Sequence, residues 1–459
     1  MKEKYSLIEG PIWKGLLAFV FPIFLGQVFQ QLYNTADAWV VGKFLDKNAY
    51  AAVSSSGSLV FLLVGFFGGI SVGAGVVIAR YFGAGNVEKM RKAIHTTVVA
   101  GVIAGLFLTV VGMLLTPQIL KLMGTPKDVL VNSVAYFRMY FAGALAVVMY
   151  NMCVGILRAV GDSKRPLYYL IISSLTNIAL DLLFVGVFHW GVWAAALATS
   201  ISQFLSLVLC FLRLFRDKAD YQLSWRELRI DFPMLGQIVR YGLPSGVQNS
   251  IIALANVVVQ SNINAFQADV IAGCGTYAKL EGFAFLPITC FAMGLTTFVS
   301  QNLGARQYDR TRKGVRLGIL CSVVLAELIG AVMFLFAPQL VSFFNKEVGV
   351  IDAGTRQARV ESLFFFLLAF SHCIAGILRG AGKPMTPMIV MLCSWCLLRV
   401  TYITLMVRLI PNTPEVIFSA YPLTWGVSSL VFLIYYFTSD WLHAFDRAEQ
   451  KQSEKQAIS

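Results

Sequence analysis

The sequence predicts an all-α integral membrane protein: twelve transmembrane helices forming two homologous six-helix bundles around a central cavity. Three observations predict it. Of 459 residues, 57% are apolar and only 13% charged, and the mean hydropathy is +0.70. A soluble domain carries about 25% charged residues. Apolar stretches recur along the whole chain, each long enough to cross a hydrocarbon core of ~30 Å. Short patterns also return at one constant spacing: Gly73 and Gly83-Ala84 as Gly294 and Gly304-Ala305, Arg91-Lys92 as Arg312-Lys313, and Gly155-Ile-Leu-Arg158 as Gly376-Ile-Leu-Arg379, each 221 residues later. Pro22…Asn34 returns as Pro244…Asn256 with one residue more. That spacing is far too long for a solenoid, and a duplicated half in an apolar chain marks a secondary transporter with its binding site between the repeats.

The apolar stretches fall near 13–40, 50–81, 93–116, 130–155, 166–188 and 191–214, then 235–264, 270–301, 314–338, 360–378, 386–409 and 415–438. The first is too long for a signal sequence and lacks a small-residue cleavage site, so it reads as a mature span. Pro22 and Pro244 stand at matching places early in spans 1 and 7, where each removes a helix hydrogen bond. Gly65, Gly69 and Gly73 in span 2 follow a small-xxx-small pattern suited to close helix packing. Residues 1–214 form the N-terminal lobe and 235–440 the C-terminal lobe. Between them, 215–234 reads as a polar cytoplasmic linker, partly amphipathic and lying along the membrane surface. Residues 441–459 read as a charged, disordered tail. Lys and Arg gather in the even-numbered loops (Arg80, Lys89, Arg91 and Lys92; Arg158, Lys164 and Arg165; Arg312, Lys313 and Arg316). The positive-inside rule then places both termini in the cytoplasm, for a multi-pass protein of a bacterial inner membrane.

Several function classes are excluded. The net charge of +13 is spread over many loops rather than gathered on one domain, so it signals topology and attraction to anionic lipid, not nucleic acid. Eight cysteines are scattered; Cys393 and Cys396 have redox spacing but lie in an apolar span without histidine neighbours. The four histidines share no metal-ligand pattern and there is no phosphate-binding loop, so neither a cofactor nor an ATPase motor is expected. An embedded enzyme would need a clustered catalytic set, which the dispersed His and acids do not supply.

Ionisable groups inside spans are costly and mark function by default. The acids are Asp37, Asp181, Glu281 and Glu327. Asn34 and Asp37 share a face of span 1, and Asn177 and Asp181 a face of span 5, at i, i+3 and i, i+4. With Thr199 of span 6 they lie at a common depth. Asp37, Asn177, Asp181 and Thr199 thus form a candidate proton or cation site, with Na⁺ an admissible occupant. Adding 221 to Asn177 and Asp181 gives Leu398 and Tyr402, and Asp37 maps to Val259, so the site is expected in the N-terminal half only. Span 7 carries a neutral polar stripe, Asn249, Asn256, Gln260 and Asn264, that a lipid-facing helix would not tolerate. With Asn34 and Glu281 these are the candidate lining of a substrate cavity. Glu327 and Arg399, each alone in its span, are expected to pair or to face the cavity.

These residues resemble the multidrug and toxic compound extrusion (MATE) family, near its bacterial DinF-like branch. The resemblance covers nearly all twelve helices. It rests on Pro22…Gln27…Asn34-x-x-Asp37-x-x-x-Val41-Gly42, on Gly83-Ala84-Gly85 with Gly304-Ala305, and on the paired Gly-Ile-Leu-Arg motifs. It implies a two-lobed bundle with cation-driven export of bulky, often cationic organic compounds. It also implies an N-lobe coupling site matching Asp37, Asn177, Asp181 and Thr199. An acidic residue that some members carry in span 10 is Leu368 here, which speaks against a C-lobe sodium site and favours protons. The expected partners are small organic substrates, H⁺ or Na⁺, and membrane lipid, with the protein a monomer. The competing expectations are a flippase for lipid-linked precursors and a passive channel.

Overall fold

The computed structural model describes residues 7–45, 47–122, 125–217, 219–409, 413–447 and 450, and nearly all of them are helical. The first half runs α1 (Ile12–Phe44), α2 (Lys47–Gly83), α3 (Val87–Leu122), α4 (Lys127–Ala142), α5 (Ala144–Ala159), α6 (Lys164–Asp181) and α7 (Trp193–Arg216). The second runs α8 (Phe232–Ile263), α9 (Ala268–Gly304), α10 (Tyr308–Leu335), α11 (Ala337–Phe344), α12 (Val348–Glu361), α13 (Phe365–Gly380), α14 (Met385–Met391), α15 (Arg399–Leu409) and α16 (Pro414–Thr438). Among the described residues, eleven helices or continuous helix runs are long and apolar enough to cross a membrane, and α4 with α5, bent by 47°, makes twelve when the pair is counted as one span. A helix satisfies its own backbone, which is why this is the element that lipid permits. Exposed apolar side chains such as Phe107 and Leu114 on α3 and Leu328 on α10 suit contact with lipid.

The chain forms two compact units, Leu25–Gly246 and Met1–Phe24 with Val247–Ser459. Both boundaries inside the chain fall two residues after a proline, Pro22 in α1 and Pro244 in α8. The start of each of these helices therefore packs with the opposite half of the sequence. In the first unit, a Cβ on Gly69 would lie 2.2 Å from the backbone of Gly246, and one on Gly73 2.2 Å from Gly242. The glycines read from sequence are thus where α2 and the start of α8 touch backbone to backbone. In the second unit the repeat mate of Gly73, Gly294 on α9, faces Val20 at the start of α1.

The Gly-Ile-Leu-Arg motifs have a matching explanation. A Cβ on Gly376 would sit 2.4 Å from the Ala292 carbonyl, and that closeness lets Thr296 donate to the Gly376 carbonyl at 3.0 Å. Ser300 donates to Gly380 in the same way at 2.8 Å. In the first half Gly155 faces Ser71, which donates to the Asn151 carbonyl at 2.7 Å. Three residues after each arginine the chain leaves the helix through a left-handed glycine, Gly161 (φ 94°) and Gly382 (φ 76°). The next amides, Asp162 and Lys383, then bond back to Leu157 and Leu378, closing the helix ends.

The linker is fastened to α3. The Ser224 amide donates to His95 Nε2 at 3.0 Å, the Asp231 amide to Thr96 Oγ1 at 3.2 Å, and Arg91 pairs with Glu227 at 3.2 Å. Trp225 stacks on Phe215, with ring centroids 4.3 Å apart. Burial, with the hydrogen bond to Asp217, pushes the Tyr221 phenol up to about 12. The expectation of disorder from residue 441 is corrected as far as Arg447. Trp441, Leu442 and Phe445 are buried, Phe445 lies against Gly382, and Tyr308 donates to Asp446 at 2.6 Å. Three apolar anchors within five residues hold this segment, a spacing too short to read as periodicity. The remainder of the tail, apart from Gln450, lies outside the described residues.

Candidate functional site

Asp37, Asn177, Asp181 and Thr199 come from α1, α6 and α7, all within the unit Leu25–Gly246. Asp181 and Asn177 are 0% and 1% exposed. Asn177 Nδ2 donates to Thr199 Oγ1 at 3.4 Å, and the threonine hydroxyl itself donates to the Ala195 carbonyl at 3.1 Å. The carboxyls of Asp37 and Asp181 face each other closely enough to interact electrostatically. Yet both oxygens of Asp181, Oδ1 of Asp37 and Oδ1 of Asn177 are buried without a donor among the described residues. Two ionised carboxylates have only acceptors to offer each other, so a facing pair favours a bound proton or cation. Buried acceptors left without a donor are expensive, which makes this cluster the candidate binding site of the unit.

Sequence reasoning missed the walls of this site. Tyr33, one turn before Asp37, and Tyr136 on α4 come close enough to both acids to interact electrostatically. Gln30 Nε2 donates to the Tyr33 hydroxyl at 3.1 Å, and Gln203 on α7 reaches that hydroxyl too. Tyr33, Tyr136 and Gln203 are all buried. The i−4 spacing of Tyr33 from Asp37 and the i+4 spacing of Gln203 from Thr199 were the available signals. Asp181 ends α6, and a π-helical turn, Leu182–Val187, follows at once. Such turns recur at functional sites.

The substrate-lining candidates are dispersed. Asn34 on α1 is exposed, as are Asn256 and Gln260 on α8 and Asn264 just past its end, where Gln260 donates to Asn264 at 2.9 Å; Asn249 is half-buried. Glu281 is instead drawn inside the second unit, with one carboxyl oxygen buried. Of the two arrangements expected for Glu327 and Arg399, pairing or facing the cavity, pairing is not made among the described residues. Glu327 accepts the Phe366 amide at 3.3 Å and so caps the first turn of α13, while Arg399 donates to Thr424 at 2.9 Å and lies over Tyr421. A three-residue 3-10 turn, Ser362–Phe364, separates α12 from α13 and so leaves first-turn amides of α13 to be capped, and Glu327 is used there.

Two repeated six-helix bundles that cross a membrane, with carboxylates and amides held inside, are the build of a secondary membrane transporter. The chain belongs to the MatE family, whose model matches residues 22–183 and 244–405, more than two thirds of the sequence. Both matches begin at the paired prolines. A probable multidrug resistance protein of Bacillus subtilis, YoeA, is 28% identical over 386 residues, covering 83% of each chain. An FAD transporter of Shewanella oneidensis is 23% identical over 407 residues, covering 87% of this chain and 89% of its own. Among solved structures, the outward-facing form of a multidrug resistance MATE family transporter of the MOP superfamily matches with a TM-score of 0.88 at 22% identity. It covers 94% of this chain and 98% of its own, and shows the shared fold. The protein is thus a multi-pass membrane transporter of the MATE family, as its motifs led one to expect.

Proposed function

We propose that this protein is a proton-coupled antiporter that exports bulky, often cationic organic compounds from a bacterial cytoplasm, with Asp37 and Asp181 as the coupling pair. The observation that carries the reading is that these two carboxyls face each other, with no donor to Asp181 among the described residues. A proton shared by them removes their repulsion; its loss restores it. Asn177 and Thr199 orient the pair through their mutual hydrogen bond. Drug and proton then favour different states, and each shifts the equilibrium only through its differential affinity. The exposed amides of Asn34, Asn256, Gln260 and Asn264, with Asn249, supply neutral polar contacts that fit a site of broad specificity.

Sodium is the second reading, since the donor-free oxygens of Asp37, Asn177 and Asp181 are also hard-cation ligands. The flippase reading loses support, because Arg399 is 3% exposed and engaged with Thr424 and Tyr421 rather than presented to an acidic head group. The test is uphill export from vesicles of a cationic dye, ethidium, and in parallel of FAD, with a pH gradient or a sodium gradient imposed separately. Export driven by the pH gradient alone is expected. Export that follows sodium while the pH gradient is collapsed would assign the site to sodium.

A further inference from the structure

The tie between α3 and the linker contains a titratable acceptor that plays no part in the coupling pair. His95 is 2% exposed and lies about two turns into α3. Its Nδ1 is 2.7 Å from the Arg91 carbonyl, and its Nε2 is 3.0 Å from the Ser224 amide. These two partners fix the ring. A carbonyl oxygen can only accept, so Nδ1 carries the hydrogen; an amide N–H can only donate, so Nε2 presents its lone pair. The linker is therefore held by the neutral imidazole, in one tautomer.

A second partner for Nε2 stands ready on the same turn. Ser224 precedes the 3-10 turn Trp225–Glu227, and its carbonyl accepts the Glu227 amide at 3.1 Å. Glu227 Oε1 pairs with Arg91 at 3.2 Å, while Oε2 stands 3.8 Å from His95 Nε2, beyond hydrogen-bond range. A proton taken up on the Nε2 lone pair sets a donor against the Ser224 donor and an imidazolium beside Glu227 Oε2. The first contact is then lost, and the second becomes a charge-assisted hydrogen bond. One nitrogen holds the amide when neutral and the carboxylate when charged, and it cannot hold both.

The surroundings leave this exchange to His95. A cavity of about 540 Å³ has His95 in its wall, which gives protons a route to the ring. The charged groups around it are Glu88, Arg91 and Lys92 on α3 and Glu227, Arg229 and Asp231 on the linker, three of each sign. Lys92 pairs with Glu88 at 2.7 Å, and Asp231 accepts the Met234 amide at 2.9 Å. α2 and α5 also pack on α3, and each carries one basic residue in its last turn, Arg80 and Arg158. At the end of α7, where the linker departs, Arg213 pairs with Asp217, which accepts the Tyr221 hydroxyl. Carboxylates, ammonium and guanidinium groups ordinarily keep their charge between about pH 5 and 8, where a histidine ordinarily changes its own. The Ser224-bound state holds one proton fewer than the exchanged state, so it loses population as the pH falls.

This hold reaches α8. The Asp231 amide donates to the buried Thr96 hydroxyl at 3.2 Å, and α8 begins at the next residue, Phe232. Its start lies backbone to backbone on α2 at Gly242 and Gly246, and beyond Gly246 the helix leaves this compact unit. Loosening the linker removes an anchor from the approach to that crossing.

We propose that His95 is a pH-sensitive latch: acid on the linker's side of the membrane exchanges Ser224 for Glu227, loosens the linker from α3 and slows export. The slowing rests on the reading of the protein as a proton-coupled exporter, in which each cycle delivers a proton to that side; the exchange of partners does not. The test is amide hydrogen exchange of the full-length protein in detergent, read by mass spectrometry on peptides spanning Ser224 and corrected for the intrinsic pH dependence of exchange. Between about pH 8 and about pH 5.5, wild-type protection at Ser224 is expected to fall about tenfold or more, since one linked proton gives up to tenfold per pH unit. His95→Gln supplies an acceptor that does not titrate, so its protection should stay level with pH. His95→Asn is too short to reach Ser224 and should leave the linker unprotected at every pH; it serves as the second variant should His95→Gln misfold. Level protection in wild type overturns the latch, and so does an equal fall in His95→Gln or a pH-dependent fall in His95→Asn. Ethidium export from vesicles is then measured at a fixed pH gradient while the pH on the linker's side is lowered, and wild type is expected to slow severalfold more than His95→Gln. Equal slowing of the two overturns the control of export by the latch, whereas export that no pH gradient drives in either protein overturns the antiport reading instead.

Discussion

Asp37 on α1 and Asp181 on α6 face each other closely enough to interact electrostatically, and neither oxygen of Asp181 receives a hydrogen bond from the described residues. Tyr33 and Tyr136, both buried, lie close enough to feel the charge of the pair. A purely structural polar contact would end in donors and acceptors that match. This one does not, and under the proposed function a transported proton or ion resolves the mismatch.

Pro22 offers a test of which helix moves. The chain passes from one compact unit to the other two residues beyond it, and the proline removes a hydrogen bond from α1 at that place. Pro22→Ala is expected to restore that bond and stiffen the helix. Dye efflux should slow severalfold while ethidium binding to purified protein keeps its affinity. An unchanged rate, or lost binding, would rule α1 out as the moving element.

Gly376 is expected to tolerate nothing larger. A Cβ there would lie 2.4 Å from the backbone oxygen of Ala292, which cannot turn aside. Gly376→Ala should cost about 1–3 kcal/mol or more, read as a melting temperature lower by several degrees in detergent. Gly155→Ala, whose added methyl meets the rotatable Ser71 hydroxyl, should cost less. A reversed order would mean that the α9–α13 seam is looser than the geometry indicates.

Glu327 should prove a cap rather than a coupling group. It accepts the Phe366 amide, and glutamine retains that acceptor. Glu327→Gln is expected to export dye at near wild-type rate, whereas Glu327→Ala should lose about 1 kcal/mol of stability. Gradient-driven export abolished by Glu327→Gln at normal expression would move this residue into the transport machinery.

The fold was legible because lipid leaves few choices: apolar runs of sufficient length become helices, and the repeat register fixes two bundles. The candidate site of the first half could be read because Asp37 and Asp181 stand out against apolar neighbours. Glu361, a buried acid at the end of α12, could not, for a physical reason. Residues 348–359 carry Asp352, Arg356 and Arg359, which pull the window average down and made span 10 begin near 360. The observed helix run begins at Val348, and Val350, Ala353, Gly354, Gln357, Ala358 and Glu361 form one buried face at helical spacing. That periodicity, together with the register that sets Glu361 on Tyr140, was the signal available. The exchange of helix ends between the units left no mark in sequence beyond the two prolines.

The most direct measurement of the central claim is pH-gradient-driven ethidium export by Asp37→Asn and Asp181→Asn proteins in vesicles, with dye binding measured on the same preparations. Asparagine keeps the shape of a protonated acid but cannot release the proton. Each variant is expected to bind dye and to export no more than empty vesicles do. Export retained by both variants at normal expression would contradict the assignment of coupling to Asp37 and Asp181.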